Sequence, residues 1–197
     1  MILWMRAHNL LSILLGLAGM LGVVAISGGS TVPAPSILQE SLIGTPLALI
    51  VPLISVALLM HGLAGGPREL ELVAGRATRF YRVVLVASVC VCALGLGLLL
   101  TLSGLQPLGF AAGRNLAGYT GAALIGGFFL GRHGATAIPT AYLFLVILTG
   151  APPDRVQVWV WPLADSGDVP AAVVSMTTLA IGILLTRCNR RDPRKQL

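Results

Sequence analysis

The chain has 197 residues, a formal net charge of +6, 56% hydrophobic residues and only 10% charged ones. A soluble domain carries about 25% charged residues, so this composition excludes an ordinary soluble globular protein and points to an integral membrane protein. At roughly 20 residues per spanning helix, the length holds five or six spans in a single domain and leaves no room for a soluble domain beside them.

Apolar windows run from about Asn9 to Ile26, Ile43 to Leu63, Val83 to Leu105, Leu116 to Leu130, Ala135 to Thr149 and Val169 to Thr186. The predicted fold is all-α: a polytopic transmembrane helical bundle of six spans forming one membrane domain over residues 1–197, with five spans as the alternative count. Arg6 and the small residues Ala25 to Ser27 also fit a signal peptide, but the apolar run exceeds the 7–15 residues of a usual signal core and reads as an uncleaved helix. Ser27 to Ser36 reads as an external loop stiffened by Pro33 and Pro35. Gly150 to Pro170 reads as a second external loop, with Trp159 and Trp161 at the bilayer interface and Asp154, Asp165 and Asp168 in water.

Arginine and lysine in short loops resist translocation. With six spans, eleven of the thirteen basic residues fall on one side, and only Arg114 and Arg155 on the other. Both termini and the segment Gly65 to Arg82 are therefore predicted to be cytoplasmic. Topology accounts for the positive charge, so membrane lipids are expected around the chain and no nucleic acid is.

The segment "GGPRELELVAGRATRFYR" interrupts this apolar chain with a helical pattern. At 100° per residue, Leu70, Val73, Ala74, Ala77, Phe80 and Tyr81 share one arc, opposite Glu71, Arg76, Thr78, Arg79 and Arg82. An amphipathic cytoplasmic helix over 67–82 is predicted, with its acids near the positive end of the helix dipole and its arginines near the negative end. Such a helix either follows the lipid headgroups or acts as a lever that receives force from a cytoplasmic partner.

The topology, together with "RELELVAGR" from Arg68 to Arg76, resembles the membrane subunit of an ABC exporter of the second permease superfamily. The likeness lies in the Leu70-Glu71-Leu72 core and the small-residue break at Ala74-Gly75 before Arg76; the family's Gly-Thr and proline are missing. "GRNLAGYTGAALIGG", Gly113 to Gly127, resembles a segment of permease-like membrane proteins of high-GC actinobacteria. The resemblance implies a multi-pass permease of a bacterial cell (inner) membrane, working with a separate cytoplasmic ABC ATPase subunit that contacts Glu69, Glu71, Arg76 and Arg79. Pairing with a second permease, as a homodimer or with a related chain, is also implied.

Absences narrow the alternatives. A phosphate-binding P-loop needs a lysine, and the sole lysine is Lys195, so ATP hydrolysis must come from another chain. An ion-coupled carrier needs an acid within a span; all seven acids lie in loops or the tail, with Glu40 nearest to a span. His8, His61 and His133 show no metal-ligand spacing, and Cys90, Cys92 and Cys188 read as reduced bystanders. No catalytic residue, metal or cofactor is expected. The competing class is a non-transport membrane protein: an anchor, an assembly factor or a signalling partner.

Two further sites stand out. Arg114 and Asn115 open the fourth span, where an arginine must snorkel, pair or line a wet cavity; as an outer gate, Arg114 would meet Asp154, Asp168 or an anionic headgroup. Gly118, Ala122 and Gly126 recur every four residues, a spacing that lets helix backbones approach closely. This face is predicted to pack on another helix, in the same chain or in a second copy.

Overall fold

The computed structural model describes residues 10–27, 30–36, 41–64, 76–149 and 158–188. Within them the chain is mostly helical: α1 (Leu10–Ser27), α2 (Leu47–Ile50), α3 (Pro52–Ala64), α4 (Arg76–Leu102), α5 (Gly109–Thr149) and α6 (Val169–Cys188), with a 3-10 segment (Val158–Leu163) between the last two. Val51 keeps helical angles between α2 and α3, and Pro52 occupies a first-turn position where its missing N–H costs nothing. Three stretches are long and apolar enough to cross a membrane: Leu47–Ala64, Phe80–Leu102 and Val169–Cys188; Leu11–Ser27 is a shorter apolar helix. These helices fit a membrane protein.

The stretch expected as a plain loop, Ser27 to Ser36, instead supplies a strand. β1 (Thr31–Ser36) pairs antiparallel with β2 (Ser41–Pro46), in a register that sets Thr31 opposite Pro46 and Ser36 opposite Ser41. Pro33 and Pro35 cannot donate to a ladder, so they belong on the outer edge of β1 and leave alternate residues to pair with β2. The pairing also moves the next helix. Expected from Ile43, it starts at Leu47, because Pro46 holds the extended angles φ −60° and ψ 127° and keeps its predecessor extended too.

Two other boundaries shift. From Arg76 onward the anticipated amphipathic helix is continuous with α4, so Arg76 and Arg79 lie in the first two turns of a 27-residue helix; residues 67–75, with Glu69 and Glu71, lie outside the described residues. The fourth apolar window is preceded by helix from Gly109, which carries Arg114 and Asn115 inside α5.

α5 consists of two helices joined at Gly131, where φ is 70° and ψ is −156°, angles essentially reserved for glycine. The chain reverses there. Gly126 meets the carbonyl of Gly134, whereas in an unbroken helix residues eight apart would stand about 12 Å apart along the axis. The two parts are called here the first arm (109–130) and the second arm (132–149).

The first arm is the axis of the bundle, and every residue from Ala111 to Gly121 is buried. α3, α4 and α6 pack around it, with α1 outside, joined to α3. The core is continuous from Leu17, Met20 and Val24 of α1 through Val56 and Leu59 of α3 to Leu116, Tyr119 and Ala123. One end of the bundle holds the hairpin, the α4–α5 turn and the 3-10 segment: Gln106 donates to Val24 O at 2.8 Å, and Ser166 Oγ donates to Pro107 O at 2.6 Å. The other end holds Gly131 and Arg132; there Arg82 and Thr186 border one small pocket, with Arg187 following on α6.

Candidate functional site

Polar chemistry concentrates where the first arm meets the 3-10 segment. Arg114 is fully buried. Its Nη1 donates to Asp165 O at 2.9 Å, and its Nη2 to Ala164 O at 2.7 Å and Trp161 O at 3.1 Å. These carbonyls lie in and just beyond the last turn of the 3-10 segment, where those of Trp161 and Asp165 also accept from the main chain, and a guanidinium fork suits several diverging acceptors at once. Asn115, also fully buried, donates from Nδ2 to Pro162 O at 2.7 Å and, more weakly, to Leu49 O at 3.5 Å. The helical angle between the two residues turns Arg114 to the end of the segment and Asn115 to its middle. Together they clamp residues 161–165 to the axis of the bundle.

Arg114, anticipated at an outer gate, thus spends its Nη donors on main-chain oxygens. Asp168 caps the start of α6, its Oδ1 accepting from Ala171 N at 3.2 Å, and Asp154 lies outside the described residues. Arg114 Nε, Asn115 Oδ1 and Tyr119 OH are buried without a hydrogen-bond partner.

Trp161 is the keystone held by this clamp. Read from the sequence as a belt residue at the interface, it is instead only 4% exposed. Its ring lies 5.4 Å from that of Tyr119 and stacks at 22° on that of Tyr142, 6.0 Å away. Gly118 makes the room: a β-carbon there would overlap the indole. Trp159 is more open, and the Tyr142 hydroxyl donates to its carbonyl.

Below this aromatic roof lies a groove of about 540 Å³ between the second arm and α6. Ala122 of the first arm forms its floor, Ile138 and Tyr142 one wall, and Val174 and Thr178 the other. Both hydroxyls in the lining are already used: that of Tyr142 on Trp159, and Thr178 Oγ1 on Val174 O at 2.8 Å.

The small-residue series Gly118, Ala122 and Gly126 is used within the chain, against Trp161, the groove and Gly134 respectively. A second series went unread. Gly113, Ala117 and Gly121 have the same spacing: Gly113 abuts the Ala93 carbonyl on α4, and a β-carbon at Gly121 would stand 2.5 Å from Leu179 N on α6. Its signal was present in the same stretch of sequence. Gln106 gave no such signal, because only the fold brings it to Val24.

The chain matches no family model, no curated protein and no solved structure.

Proposed function

We propose that this chain is a six-span bacterial inner-membrane protein with both termini in the cytoplasm, acting without catalysis of its own as the permease half of an ATP-driven exporter. Charge distribution carries the reading. Ala64 and Arg76, which flank the segment carrying Glu69 and Glu71, lie at the end of the bundle that also holds Arg82, Arg132 and Arg187, and a cluster of arginines at one end favours a cytoplasmic face there. The axis of the bundle is a packed helix with no passage along it among the described residues, so substrate would cross between two such halves, driven by a separate ATPase dimer that tilts them.

The same packed axis favours a second reading: a membrane anchor or assembly partner that moves nothing. Purification from the native host, comparing the wild type with the triple variant Glu69→Ala, Glu71→Ala, Arg76→Ala, separates the two. Coupling predicts that a P-loop ATPase accompanies the wild type and is lost from the variant. Wild-type protein purified without any ATPase sinks the exporter reading and leaves the anchor.

A further inference from the structure

The groove below Trp159 and Trp161 is walled by side chains that offer a ligand almost nothing polar. The hydroxyls of Tyr142 and Thr178 already donate to main-chain carbonyls. A sugar or peptide entering would leave its own polar groups unpaired, at a cost of about 1–3 kcal/mol for each.

The setting points the same way. Phe144 and Leu145 on the second arm, and Val173 and Ile181 on α6, are large apolar residues exposed on the two helices that form the walls. The groove is thus bordered by two helices with exposed apolar side chains, one of which, α6, is long and apolar enough to cross a bilayer. The groove is also constructed rather than incidental. Its roof is pinned by Arg114, Asn115 and the Tyr142 hydroxyl, and Trp161 is wedged between two tyrosine rings.

We infer that this groove is a site for one hydrocarbon chain of a membrane lipid, seated between the second arm and α6 beneath Trp161. Hydrocarbon suits a wall that exposes almost nothing polar, and the more open ring of Trp159 at the roof suits the level where chain meets headgroup. The inference rests on the membrane setting proposed above and not on ATP coupling.

The test uses the full chain carrying Trp4→Phe and Trp159→Phe, so that Trp161 is its sole tryptophan. It is reconstituted into phosphatidylcholine vesicles with brominated acyl chains, and flotation with the vesicles reports the membrane setting separately. Because Trp161 is almost wholly enclosed by protein, bromine quenches it only from within the groove. Quenching is expected in this background and is expected to be largely lost in Thr178→Phe and, independently, in Ala122→Leu, each of which fills the groove. Absence of quenching before the groove is filled overturns the site. So does equal quenching in both filled variants that float and keep the same thermal midpoint, since bulk lipid then reaches the ring by another route. Cross-linking of two copies through Ile138→Cys, with Trp161 unquenched, also overturns it and makes the groove a seam between subunits.

Discussion

The first arm of α5 and helix α6 are neighbours of similar length, yet they hold opposite places. The first arm carries Arg114, Asn115, Tyr119 and Thr120 and is buried on every side from Ala111 to Gly121. α6 meets the length and apolarity needed to cross a membrane, yet only Ala171, Ser175 and Gly182 among its residues are buried. In water the more apolar helix would be drawn inward. Between helices in lipid there is no such drive, because the acyl chains are as apolar as leucine; close backbone approach and internal hydrogen bonds choose the centre instead. The first arm offers both, and α6 is left with Val173, Ile181 and Leu184 exposed on its outer face.

This contrast can be broken at Arg114. Arg114→Leu deprives three carbonyls of a charge-assisted donor, each bond being worth about 1.5–3 kcal/mol. It is expected to cost about 3 kcal/mol or more, read as a lowered unfolding midpoint in detergent with Trp161 as the probe. Arg114→Lys should recover only part, because an ammonium cannot fork to diverging acceptors. A variant as stable as the wild type would mean that the polar clamp does not hold the arm at the centre.

Next in size is the contact between the two helices. Gly121→Val drives a side chain into the backbone of Thr178 and Leu179, and overpacking of this kind costs about 1–3 kcal/mol. Thermal unfolding of the variant should shift accordingly, and a cysteine pair spanning the two helices should cross-link less readily. Gly131→Ala is expected to cost about 1–3 kcal/mol, because it forces an L-residue into backbone angles essentially reserved for glycine; an unshifted melting curve would show that the reversal does not need glycine. Smallest of all should be Val173→Ala on the outer face of α6, within about 0.5 kcal/mol by the same melt. A larger loss there would mean that this face is covered by protein rather than by lipid.

Much of the architecture was legible residue by residue. Apolar windows located the helical segments, because periodicity is a local property; of the four-residue series, Gly118 and Gly126 meet close neighbours while Ala122 between them lines the groove. Arg114 was recognised as a residue that must find partners. Those partners were illegible: main-chain carbonyls some fifty positions away carry no signature of their own in a sequence. Trp161 was misread for a related reason. Belt tryptophans and core tryptophans look alike until Gly118, Tyr119 and Tyr142 are seen to enclose one of them. The β1–β2 pair was missed because its prolines suggested a loop, and only the partner strand shows that they lie on an edge.

By itself the sequence determined that the chain is helical and apolar, and where its helices can run, since these follow from hydropathy, spacing and the conformational limits of proline and glycine. Tertiary structure alone decided which helix became the axis, what Arg114 holds, and where a groove opens beneath Trp161. Those outcomes depend on which backbones can approach most closely, and that is a property of pairs of helices that no single stretch contains.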